Sequence, residues 1–194
     1  MPSYDRDTAL VVVDVQNDFA DPQGSLYVPG GDLIVDEVNA EIARAQAAGA
    51  HVLYTQDWHP HATPHFVTEG GLWPVHCVED SWGAAFHPAL VVDGPTVRKG
   101  HDGGDGYSGF SVRDPLSGDV RATILDELLR DRGADALVVA GLATDYCVVE
   151  TACDGRMLGY RVEVVHGAIA AVDLTPGDGD RAITRMRDAG VELV

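Results

Sequence analysis

Apolar positions along the chain fall into two alternating periods. ALVVVDV, Ala9 to Val15, is a continuous Val-rich run, the pattern of a strand buried on both faces. From Gly31 to Ala48 the period becomes helical: Leu33, Ile34, Val38, Ile42 and Ala45 make one stripe, and Gly49 ends it. HVLYTQD (His51 to Asp57) predicts a second strand and TVRK (Thr96 to Lys99) a third. A helix follows over Asp119 to Arg130, with Ile124, Leu125, Leu128 and Leu129 inward and Gly133 at its end. ALVVAGL (Ala136 to Leu142) predicts the fourth strand, Asp145 to Leu158 a helix stopped at Gly159, and YRVEVV (Tyr160 to Val165) the fifth strand. Gly179 to Ala189 reads as a last helix and VELV as a sixth strand.

Strand followed by helix, repeated, predicts an α/β fold. One domain over residues 1–194 holds a mostly parallel six-stranded sheet with helices on both faces, a Rossmann-like three-layer sandwich. Residues 58–94 break the alternation with many Pro, Gly, His and Trp residues. A structureless stretch of that length inside a domain is usually functional.

Composition narrows the partners. A formal net charge of -18 excludes nucleic acid and anionic membrane surfaces, which both need a basic face, and leaves a small molecule. No apolar run approaches the ~18 residues of a membrane span. The first residues lack the basic and apolar segments of a signal peptide. Three cysteines, Cys77, Cys147 and Cys153, do not form a disulfide framework, so the cytoplasm is the expected compartment. A homo-oligomer stays open.

In open parallel sheets, ligands bind outside the carboxyl ends of the strands. Those ends carry Asp14, Asp57, Lys99 and the Cys147 segment. Lys99 is the chain's one lysine; the other twelve of its 13 basic residues are arginines. In GLATDYC, Cys147 falls in the first turn of a helix, where free N–H groups and the dipole lower a thiol pKa and can hold an oxyanion. A small buried hydrophobe would suit the same place. Cys153 and Cys77 read as packing. A proton acceptor is needed, and Asp14, ending an apolar run, is expected to be desolvated and raised toward the range of a base. His166, after the fifth strand, is the alternative. Lys99 offers a compact ammonium that can approach two anions from one point.

Four of the eight histidines lie between His59 and His76, beside Asp57. In DWHPHATPHF and WPVHC, one carboxylate with two or three imidazoles suits Zn, with Fe or Mn also compatible. His61 is a competing ligand. A His-rich solvated loop would have the same composition.

Together VDVQNDF, DWHPHATPHF, WPVHC, the segment from Lys99 to Phe110 with its KG and YSGF, and GLATDYCV resemble the nicotinamidases of the isochorismatase-like cysteine hydrolase superfamily. They occur in family order and span nearly the whole chain. The resemblance implies a catalytic triad of Asp14, Lys99 and Cys147, and a divalent metal held by Asp57, His59 and His76, with His65 as a further ligand. It implies an oxyanion hole from the N–H groups of Ala143 and Cys147, with a cis peptide between Leu142 and Ala143. It places Phe19 and Trp73 beside a bound pyridine ring. The expected activity is hydrolysis of nicotinamide to nicotinate and ammonia through a thioester, in NAD salvage. Alternatives are a carbamoyl or biuret-type amide hydrolase of the same superfamily, whose members generally lack the Asp-x-His cluster, and a non-catalytic metal-binding protein of this fold.

Overall fold

The computed structural model describes residues 1–194. β1 (Thr8–Val13), β2 (His51–Asp57), β3 (Thr96–Lys99), β6 (Ala136–Leu142), β7 (Arg161–Ala170) and β8 (Glu192–Leu193) form one six-stranded sheet in the order β3-β2-β1-β6-β7-β8, every pairing parallel. Between β3 and β6 lie β4 (Ser111–Arg113) and β5 (Val120–Ala122), a separate antiparallel pair. The helices are α1 (Asn17–Ala20), α2 (Val35–Ala48), α3 (Leu125–Arg130), α4 (Val149–Met157) and α5 (Asp178–Asp188).

Strand alternation divides the core into two. Ala9, Val11 and Val13 of β1 pack on one face with Leu125 and Leu129 of α3, Ala152 of α4 and Met186 of α5. Leu10 and Val12 pack on the other with Val38, Ile42 and Ala45 of α2. The fold class read from the sequence is the one observed. No helix is long and apolar enough to cross a membrane.

Three element boundaries differ from the reading. The helix expected from Gly31 begins at Val35, because turn bonds from Gly31 N–H to Val28 O and from Leu33 N–H to Gly30 O take the backbone first. Leu33 therefore sits outside the apolar stripe, 77% exposed. The helix expected over Asp119 to Arg130 begins at Leu125, since Val120–Ala122 pair with Ser111–Arg113 and the Thr123 hydroxyl accepts the Leu125 N–H. Leu125 and Leu129 are buried as expected, Leu128 is half-buried, and Ile124 faces solvent. β7 runs past Val165 to Ala170, pairing Ile169 and Ala170 with Gly141 and Leu142 after a register shift in β6.

Candidate active site

Strand order reverses between β1 and β6. The chain builds β2 and β3 on one side of β1 and returns on the other, which opens a crevice at the carboxyl ends. Asp14 leaves β1 there with a φ of 49°. Cys147 sits in the wide helical turn Thr144–Val148 that follows β6. Asp57 and Lys99 are register partners, the last residues of β2 and β3. β6 crosses β1 so closely that a Cβ at Gly141, whose φ is 118°, would lie 2.1 Å from the Val13 carbonyl oxygen; only glycine fits.

Lys99 Nζ is the hub. It lies 2.6 Å from Asp14 Oδ2, 2.8 Å from Asp57 Oδ1 and 3.6 Å from Cys147 Sγ, and it donates to the Gly106 carbonyl. Lys99 and Asp14 are wholly buried. Burial alone would discharge such an ammonium, but Asp14 and then Asp57 outweigh it and hold Lys99 well above its ordinary range. Burial raises Asp14, with Lys99 pulling the other way and Asp57 adding to the rise. Asp57 ends well below the usual carboxyl range: burial raises it, and Lys99 followed by His59 overcomes that.

Cys147 corrects one expectation. Its thiol is pushed well above its ordinary value, not lowered. Burial is the main cause; Lys99 opposes it, while Asp14 and Asp57 reinforce it. A helix start does not offset burial beside two carboxylates, which favours the thiol over the thiolate. His166 is exposed and takes no part. Cys77 and Cys153 are free, buried and likewise raised by burial, in keeping with packing.

The other oxygen of Asp57 faces imidazoles: Oδ2 is 3.5 Å from His59 Nε2 and 3.8 Å from His76 Nε2. One nitrogen from each of His59, His65 and His76 falls within 4.8 Å of the others. Both nitrogens of His59 are buried without a hydrogen-bond partner, a state that ordinarily costs free energy and that a cation would relieve. His76 Nδ1 is 2.7 Å from the Pro74 carbonyl, which leaves Nε2 its lone pair. Three imidazoles and a carboxylate fit a divalent transition metal, with zinc foremost among Zn, Fe and Mn. His61 is exposed, outside this group.

A pocket of about 430 Å³, open solvent included, lies over these groups. Cys147, Ala143, Asp57, His65, His76, Phe19 and Trp73 line it. The Leu142–Ala143 peptide is cis. Leu26, Val28, Tyr107, Tyr146 and Val172 complete the wall and were not singled out from the sequence. Trp73 Nε1 donates to Tyr107 Oη at 2.8 Å and Trp73 meets Tyr146 edge-on at 4.8 Å, which fixes one side as an aromatic face.

Supporting residues were also missed. Thr55 donates to Asp14 Oδ1 at 2.7 Å. Gln16 grips the Asp57 backbone, accepting its N–H at 2.8 Å and donating to its carbonyl at 2.7 Å. Asn17 holds Trp82 and Asp18 the Cys77 N–H, so the polar letters of VDVQNDF anchor the loop that carries the histidines. Alternation along β2 was the available signal for Thr55, two residues before Asp57 and on the same side.

The isochorismatase domain family matches residues 8–194. The Escherichia coli nicotinamidase is 38% identical over 95% of this chain and 93% of its own length. The pyrazinamidase of Pyrococcus horikoshii, solved in complex with zinc, superposes with a TM-score of 0.86 at 36% identity, covering 97% of this chain and 98% of that one. PnC1 from L. infantum, solved in complex with nicotinate, gives a TM-score of 0.89 at 36% identity over 100% of this chain and 95% of the other.

Proposed function

This chain belongs to the isochorismatase domain family, and from that premise we propose that it is a metal-dependent nicotinamidase, hydrolysing nicotinamide to nicotinate and ammonia through a thioester on Cys147. One observation carries the reading. The Lys99 ammonium touches Asp14, Asp57 and the Cys147 sulfur at once, which ties a nucleophile and its base to the imidazole cluster under one aromatic pocket. In this reading residues 58–94 are the metal-binding region of a single domain spanning 1–194.

Phe19 and Trp73 sandwich the pyridine ring, and Tyr107 holds the Trp73 indole in place. A divalent metal held by Asp57, His59, His65 and His76 would supply Lewis acidity toward the ring nitrogen. The nucleophile and base are read from the geometry: Cys147 Sγ and Asp14 Oδ2 lie 3.6 Å and 2.6 Å from the same Lys99 Nζ. Cys147 rests as a thiol, and Asp14, raised by burial, is a better proton acceptor than an exposed carboxylate. Asp14 takes the thiol proton as sulfur attacks the carboxamide carbon. Lys99 stays charged throughout and offsets the thiolate as it forms. The N–H groups of Ala143 and Cys147 face the developing oxyanion. When the tetrahedral centre collapses, the C–N bond breaks and the Asp14 proton leaves with ammonia. Water, deprotonated by Asp14, then cleaves the thioester and restores the Cys147 thiol.

The orphaned His59 nitrogens favour this reading over a carbamoyl or biuret-type hydrolase, which would need no imidazole cluster. Ammonia release from nicotinamide, biuret and N-carbamoyl compounds, before and after thorough chelation, tests it. Hydrolysis of nicotinamide lost on chelation and regained with metal is the expected result. Turnover confined to biuret or N-carbamoyl compounds and indifferent to chelation would replace it with the rival, and metal binding without any hydrolysis with a non-catalytic role.

A further inference from the structure

His65 is the least constrained of the candidate ligands by sequence, and the structure gives it a partner outside the cluster. His65 Nδ1 lies 2.6 Å from Asp105 Oδ1; the His65 side chain is 5% exposed and that of Asp105 23%. An Nδ1 committed to a carboxylate acceptor carries the proton, and Nε2 then keeps its lone pair. The His65 ring stacks on His59 with centroids 4.7 Å apart and belongs to the same group of nitrogens as His59 and His76.

Asp105 is itself braced. Its N–H donates to the Arg113 carbonyl at 2.7 Å, and its own carbonyl accepts the Arg113 N–H at 3.0 Å. The next residue, Gly106, holds Lys99 through its carbonyl, and the one after, Tyr107, holds Trp73. Three successive residues thus steady a candidate ligand, the buried ammonium and the pocket wall.

We propose that Asp105 is a positioning residue. It fixes the His65 ring so that Nε2 faces the cation that the proposed function places among Asp57, His59, His65 and His76. This rests on the metal site of the proposed function. The competing arrangement is a charged His65–Asp105 ion pair, which would remove His65 from the ligand set; the two differ in the sign of their effect on metal affinity.

The test uses the full chain, stripped of metal and titrated with Zn²⁺ against a chromophoric chelator, with Co²⁺ loading to read coordination from the visible spectrum. Asp105→Ala is expected to weaken zinc binding about 10- to 100-fold and to move the Co²⁺ spectrum toward that of His65→Ala. Once His65→Ala is present, Asp105→Ala should add nothing. Asp105→Asn, whose amide oxygen can still accept from Nδ1–H, should lose less. If the alanine variant does not keep the metal-free unfolding transition, Asp105→Leu, which keeps the side chain's size and removes the acceptor, decides, and unchanged affinity there overturns the proposal. So does an Asp105→Ala protein that binds zinc as tightly as wild type or more tightly, or losses that simply add in the double variant. A wild type that takes up no cation overturns the metal reading and this inference together. Normal zinc uptake and nicotinamide hydrolysis with an indifferent Asp105→Ala overturns this inference alone.

Discussion

Lys99→Met keeps most of the side chain's length and apolar stem and removes only the charge. It leaves two carboxylates, Asp14 at 0% and Asp57 at 7% side-chain exposure, with no ammonium between them. Deleting one partner of a buried ion pair destabilises by about 3–5 kcal/mol. One cation here serves two anions, so the upper half of that range, about 4–5 kcal/mol, is expected. For a chain of this size each kcal/mol moves the melting point by about 2–4 °C, giving a drop of roughly 8–20 °C.

The pH dependence sharpens this prediction. Asp57 is held well below the usual carboxyl range, so its contribution is present above its unfolded pKa and lost as pH falls through the folded one. Lys99 is held well above its range, so its contribution persists through neutral pH and disappears only in strong base. Asp14 is raised, and its charged form opposes folding above the ordinary carboxyl pKa. Without the ammonium both carboxylates rise, and the variant escapes its penalty only by protonating them. The deficit against wild type should therefore be smallest in mild acid and grow toward neutral pH. Denaturant unfolding of both metal-free proteins across that window measures it. A neutral-pH deficit below about 1 kcal/mol, the range of a surface pair, or one that does not change with pH, would refute the argument that Lys99 is the buried hub.

Cys147→Ala should abolish ammonia release with the fold intact, whereas Cys153→Ser should leave the rate near wild type; a large loss in the latter at unchanged stability would mean that the other thiol is the nucleophile. Thr55→Val removes the hydroxyl that donates to Asp14 Oδ1. A hydrogen bond to a charged group is worth about 1.5–3 kcal/mol, so the acidic limb of kcat/KM should move up by roughly 1–2 pH units, and an unmoved limb would separate Asp14 from the titrating base. Gly100→Ala places a Cβ 2.7 Å from His59 Cε1 at a φ of 82°. It should lower metal content by elemental analysis more than it lowers the metal-free melting point.

The sheet was legible from its centre, because β1 and β6 are continuous buried apolar runs with no competing helical period and the strand–helix alternation places the other strands beside them. The gathering of Asp14, Asp57, Lys99 and Cys147 was legible for a related reason: residues that end parallel strands share one rim whatever the connections between them. What the rim rule does not contain is depth. The same sequence position, the start of a helix, lowers a thiol pKa at the surface and fails to do so when burial and two carboxylates surround it, and Cys147 is in the second situation. Nor does it contain pairing across a register. Lys99 was expected to balance Asp14 and the thiolate, yet its backbone partner in β2 is Asp57, so the ammonium reaches the carboxylate that faces the imidazoles as well. A single lysine suits that place: Asp14, Asp57, Cys147 and the Gly106 carbonyl converge on one nitrogen, which a compact ammonium matches and the planar fork of arginine does not. Charge-neutral supports such as Gln16 and Thr55 were hidden for the opposite reason, since inside a strand or after it they look like ordinary polar residues until the loops they grip are folded over them.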